Sequence, residues 1–175
     1  MRAVLLEVPD SLLAERHRTG ADKFDEMWEG VLHMVPPPSQ EHQAVALAVL
    51  RVLLPLAESR GLVGRYETGL FRPRVEGDYR VPDQVYARAV SRRGVEGDAA
   101  LVVEILSPHD ETYEKLDWYA SVGVGEVVVV DPDTRAVELF GAAADRMEQV
   151  PPGPDGTVTI EAVGVRASPS GAGCG

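Results

Sequence analysis

Three residues in this chain have types and spacing that could do chemistry together: Asp83, directly after Pro82; Glu104, alone in the apolar run 101–106; and Lys115, the only lysine after Lys23. A carboxylate inside a strand with no polar alternation is costly unless it is paired, hydrogen-bonded or bound to a cation. If Asp83 and Glu104 lie on successive strands of one sheet, they can converge on a hard cation such as Mg2+, whose shell is completed by water and substrate phosphate. Such a cation polarises a phosphoryl oxygen and lowers the pKa of a water. A lysine nearby orients or deprotonates that water, or balances the charge building on the phosphate. Each residue also has a plainer reading. Glu104 can be a buried acid paired with an arginine, Asp83 a turn cap after proline, and Lys115 the partner of Glu111 in a helical surface ion pair.

The elements that must position these residues follow from hydrophobic spacing. A short amphipathic helix starts at Asp10 and is ended by Gly20, and a strand at 31–35 is stopped by Pro36, Pro37 and Pro38. Ser39 caps the longest helix, which runs to about Ser59 with Val45, Val49, Val52 and Leu56 on one face and Pro55 as a kink. Strands follow at 65–72 and 79–87; Pro82 cannot donate to a ladder, so Asp83 falls where a strand begins or bends. The run 101–106 suits a strand buried on both faces, and Ser107-Pro108-His109-Asp110 has the pattern of a helix start. Leu116, Tyr119 and Ala120 make that helix's apolar stripe, Gly123 closes it, and strands at 127–130, 136–140 and 157–165 complete the order. The core therefore reads helix, three strands, helix, strand.

With 175 residues, 18.9 kDa and 45% hydrophobic content, the chain suits one domain, placed at 1–165, with a mobile Gly/Ser tail at 166–175. The single cysteine, Cys174, excludes an internal disulfide and a cysteine metal cluster. Apolar runs such as 44–50 are cut by charges well short of the roughly 20 residues of a membrane span, and no signal region leads the chain, so a cytoplasmic location is expected. A net charge of -11 argues against a broad electrostatic grip on nucleic acid, although a bound cation reverses the sign locally. Arg65, Arg72, Arg74, Arg80, Arg88, Arg92 and Arg93 either line a groove or form solvated surface.

Pro82-Asp83 followed by Glu104 in an apolar strand resembles the PD-(D/E)xK nuclease pattern, except that Leu106 stands where that pattern has its lysine. The stretches EMWEGVLHMVPPPSQEHQ, VPDQVY, VVEILSP and KLDWYASVGVGEVVVVDP, in that order, resemble the Uma-two family of bacterial endonucleases, in which the lysine has moved to the following helix. The resemblance spans roughly 24–140. It implies an α/β fold with a restriction-endonuclease-like core, a mixed central β-sheet flanked by helices (αβββαβ), extended by an N-terminal helix and C-terminal strands. It also implies hydrolysis of nucleic acid, DNA being the expected substrate, with Mg2+ or Mn2+. By position, Asp83 and Glu104 match the metal-binding acids and Lys115 the relocated lysine; Glu26, Gly30 and His42 match the entry motif. Two departures stand out: the family's acid four residues before the lysine is Glu111, next to Asp110, and Val127-Val128 replace an aromatic pair.

His42 is either a surface residue near a helix start or part of the cleft. His109 and Asp110 are either helix caps or contacts to a second metal. Ser107 has no G-x-S-x-G elbow around it, and the chain has no P-loop, G-x-G-x-x-G or Cys/His zinc spacing. Three functions stay open: a metal-dependent endonuclease; a catalytically inactive descendant serving as an interaction or homo-oligomerisation module; and a phosphoesterase for small substrates.

Overall fold

The two most apolar segments of the chain pair side by side at its centre. The computed structural model describes residues 3–5, 9–20, 22–108 and 111–168. In chain order the elements are β1 (Ala3–Leu5), α1 (Asp10–Thr19), β2 (Glu26–Trp28), β3 (Val31–Met34), α2 (Gln40–Ser59), β4 (Val63–Tyr66), β5 (Leu70–Phe71), β6 (Tyr79–Arg80), β7 (Gln84–Ala87), β8 (Val95–Glu96), β9 (Leu101–Ile105), a 3₁₀ turn (Tyr113–Lys115) running into α3 (Leu116–Ser121), β10 (Glu126–Val130), β11 (Val137–Ala143), β12 (Arg146–Val150), β13 (Val158–Ile160) and β14 (Val165–Ala167).

Strands β9 and β10 pair in parallel inside a six-stranded sheet of order β12-β11-β10-β9-β7-β4, whose other pairings are antiparallel. The sheet is covered on both sides, which is why these strands carry no alternation. On one face Val45, Ala46, Leu53 and Ala57 of α2 pack on Tyr86, Leu101, Val103 and Val128. On the other, Leu116, Trp118 and Tyr119 of α3 pack on Val85, Val102, Val127 and Val129. The order α2, β4, β7, β9, α3, β10 is the expected αβββαβ core, with α1 before it and strands after it.

A second sheet, β1-β3-β2-β6-β5-β8, explains most of the differences from expectation. The strand expected at 79–87 is two strands: β6 joins the second sheet, β7 the first, and Pro82 lies in the break. The strand expected at 65–72 divides likewise into β4 and β5. Strand β2 is not among the strands expected from hydrophobic spacing. It forms because Glu29 and Gly30, with φ of 50° and 90°, make the tight two-residue hairpin that turns β2 back into β3. The helix start expected at Ser107 lies later, at the 3₁₀ turn after Thr112. Strand β14 continues through Ala167, past the expected boundary at 165, and the rest of the tail from 169 on, with Cys174, lies outside the described residues.

By length and composition alone α2 could span a bilayer. Its inner face is nevertheless committed to the sheet, and Arg51 sits exposed on its outer face.

Candidate active site

The register of β7 on β9 pairs Gln84 with Val103 and Val85 with Val102. Asp83 directly precedes β7, and it and Glu104 of β9 both line one cavity at this end of the sheet. The Asp83 carboxylate is held from two sides. Its Oδ2 accepts the Ile105 backbone N–H at 2.7 Å, and its Oδ1 lies 2.7 Å from His42 Nε2. His42 sits in the first turn of α2, where the Ser39 hydroxyl accepts its backbone N–H, and its Nδ1 is 3.0 Å from Ser107 Oγ. Ser107 thus braces a histidine.

Lys115 points inward. The 3₁₀ turn places it over the sheet, where its Nζ lies 3.2 Å from Glu104 Oε1 and 2.9 Å from Glu26 Oε1. Neither the surface pair with Glu111 nor an arginine partner for Glu104 is the observed arrangement. Glu26 comes from β2 of the second sheet and is almost fully buried; it also accepts the Val81 backbone N–H at 2.9 Å and the Trp28 indole N–H at 2.8 Å. Tyr119, one helical turn beyond Lys115, donates its hydroxyl to Glu104 Oε1. Both donors to Glu104 therefore use Oε1. Among the described residues Oε2 accepts no hydrogen bond, and Glu104 lines a cavity of about 500 Å³ together with Asp83, Glu26, His42, Glu111 and Lys115.

Of the accessory residues expected from sequence, Glu111 lines this cavity with its Oε2 at 2.8 Å from His33 Nδ1. Asp110 and His109 lie outside the described residues. Trp28 and Tyr119 were not foreseen, since each reads as an ordinary apolar residue of its element. The arginines were expected as groove or surface. Arg80 is neither: it is buried between the rings of Trp28 and Trp118, and donates to Asp78 Oδ1 at 3.0 Å. Asp78 also accepts from Trp118 Nε1 at 2.9 Å and from Arg72 at 2.5 Å. This buried cluster joins the second sheet to α3, and so fixes Glu26 relative to Lys115.

Burial pushes the Glu104 carboxyl up, and Asp83 and Glu26 add to this while Lys115 and Tyr119 oppose it, leaving it at about 7. Burial acts the same way on Glu26, but Lys115 and the Val81 and Trp28 donors outweigh it and hold this acid below the usual glutamate range. The Lys115 ammonium is disfavoured by burial, yet Glu104 and Glu26 more than compensate and raise its pKa. The floor of the cavity thus gathers the carboxyl groups of Glu26, Asp83 and Glu104 near one ammonium. Among the described residues no three His, Cys, Asp or Glu side chains gather as a ligand set. Two carboxylates suffice for Mg2+ when waters and a substrate phosphate complete its shell. Asp83, with both oxygens at the cavity end of its strand, and Glu104 Oε2 are the donors that suit such a cation.

The Uma2 family model, described as "Putative restriction endonuclease", matches residues 12–167. Among solved structures, the chain is similar to a "putative nuclease" from Anabaena variabilis at 18% identity, with a TM-score of 0.65 over 82% of this chain and 86% of that one. No curated protein matches. The structural likeness shows that the two chains share a fold, consistent with a restriction-endonuclease-like core.

Proposed function

The chain belongs to the Uma2 family of restriction-endonuclease-like proteins, and from that premise we propose that it is a divalent-metal-dependent endonuclease that hydrolyses phosphodiester bonds, with DNA as its substrate in the cytoplasm. The observation that carries this reading is the meeting of Asp83, Glu104 and Lys115 from β7's entrance, β9 and the 3₁₀ turn at one cavity. Asp83 and Glu104 would hold Mg2+ or Mn2+, which when bound supplies an activated water and polarises the phosphoryl oxygen.

The chain's own groups do the rest. His42 and the Ile105 N–H fix the rotamer of Asp83. Tyr119 and Lys115 hold Glu104 through Oε1 and leave Oε2 toward the cavity. Lys115 is kept protonated by two carboxylates, so its role is to stabilise negative charge on the reacting phosphate, not to take a proton from water. Glu26 positions Lys115 from the second sheet.

Purified protein with Mn2+ should cut DNA, and Glu104→Ala should abolish cutting. Cutting that survives this substitution contradicts the assignment. One observation favours a second reading, an inactive interaction or oligomerisation module: Lys115 is already neutralised by Glu26 and Glu104, as in a structural ion-pair cluster. Such a module binds no Mn2+ in a Glu104-dependent way.

A further inference from the structure

The cavity is unlike a duplex-binding groove in three respects. First, its acids are recessed: Glu104 is 4% exposed, while Val35, Pro36 and Pro37 stand exposed at the mouth. Second, among the described residues Lys115 is the sole Lys or Arg side chain lining it, and Lys115 is occupied by two carboxylates. At the rim, the exposed Lys23 is paired with Glu67, a lining residue, at 3.1 Å and lies over the Phe24 ring at 4.7 Å. Third, its upper walls are apolar: Phe24, Met34, Val35, Val81 and the prolines 36–38.

Proteins that grip duplex DNA neutralise many phosphates with Lys and Arg, and a chain of net charge -11, with Lys115 alone of these among the described lining residues, has little means to do so here. Unpaired strands are held differently, by stacking bare bases on aromatic and apolar surfaces. The volume, about 500 Å³, lies within the range of sites that enclose one small molecule, about 300 to 1,000 Å³. A phosphodiester reaching recessed acids must bring its nucleotide out of the stack, which costs least where the nucleotide is already unpaired.

Resting on the nuclease reading above, we propose that the site accepts a single unpaired nucleotide, so that the substrate is single-stranded nucleic acid, or a frayed or flapped end, and not the base-paired interior of a duplex. The phosphate sits at the Asp83/Glu104 floor, the base lies against the proline wall beside the Phe24 ring that Lys23 covers, and Lys23 exchanges Glu67 for a neighbouring phosphate. The 2′ position carries no commitment, so DNA and RNA strands share this chemistry.

The test is Mn2+-dependent cleavage by the full chain of three substrates: a mixed-sequence single-stranded oligonucleotide, in DNA and RNA versions; the blunt duplex formed from the DNA version; and a relaxed, covalently closed duplex circle. The expected result is cleavage of at least one single strand about a hundredfold faster than the closed circle, with blunt duplex attacked from its ends. Equal cutting of closed circle and single strand overturns this inference and leaves the nuclease reading standing. No cutting of any substrate overturns both.

Discussion

At the residue scale, Glu26 and Glu104 are two buried glutamates on one ammonium with opposite tendencies. Glu104 is pushed up to about 7, so at neutral pH its neutral form is already populated and Glu104→Gln should leave metal-free stability unchanged or raised, measured by urea unfolding. Glu26 is held ionised by charge-assisted hydrogen bonds, so Glu26→Gln should cost about 1.5–3 kcal/mol in the same measurement. The sign of the pH dependence follows. Between the ordinary glutamate value of 4.5 and about 7, the folded protein keeps a proton on Glu104 that the unfolded chain has released. That contribution is fully present below 4.5 and is lost as pH rises through about 7, and Glu104→Gln should flatten the decline. A cation binding Glu104 must displace the same proton, so Mn2+ affinity should rise over the same interval. Glu104's need for a partner was legible from one acid in an apolar run. Of the partners observed, Lys115 was named from sequence and Tyr119 was not; the contact of Glu26 with Lys115 exists only because a second sheet carries β2 to that place.

At the element scale, long periodic or wholly apolar segments were legible, and two- or three-residue strands were not. The helix α2 and the strands β9 and β10 follow from spacing because each buries a continuous face. The strands β2, β6 and β8 are too short to show a period, and their pairing is decided by tertiary partners. Lys115 faces inward because a 3₁₀ turn replaces the expected first helical turn, a change of about one residue in phase that no periodicity argument resolves. The β2–β3 hairpin depends on Gly30 at φ 90°, where a Cβ would meet no neighbouring atom. Gly30→Ala therefore tests backbone strain alone and should cost about 1 kcal/mol. Asp78 is the joint between the second sheet and α3. Asp78→Ala leaves Arg80 buried without its carboxylate and should cost about 3–5 kcal/mol, with lowered activity as Glu26 loses its alignment with Lys115.

At the scale of the whole molecule, two sheets meet at one cavity: the mixed sheet brings Asp83 and Glu104, the second sheet brings Glu26, and α2 and the 3₁₀ turn bring His42 and Lys115. The order αβββαβ was legible because it depends only on the sequence of long elements. The second sheet was hidden, and with it the depth of the site. Strong negative charge beside a nucleic-acid substrate is reconciled if few phosphates are gripped. The dependence of KM for a labelled single strand on sodium chloride should then be shallow, with a logarithmic slope of about 1.5 or less, the value for two phosphate contacts. A steep slope would indicate a long basic footprint that the cavity does not have.

The central claim is that Asp83 and Glu104 form a divalent-cation site beside Lys115. Calorimetric titration of the metal-free protein with Mn2+ tests it most directly. One saturable site is expected in the unaltered chain and its loss in Glu104→Ala, with the fold retained by circular dichroism; absence of a saturable site in the unaltered chain, or its persistence in Glu104→Ala, would rule the cation site out.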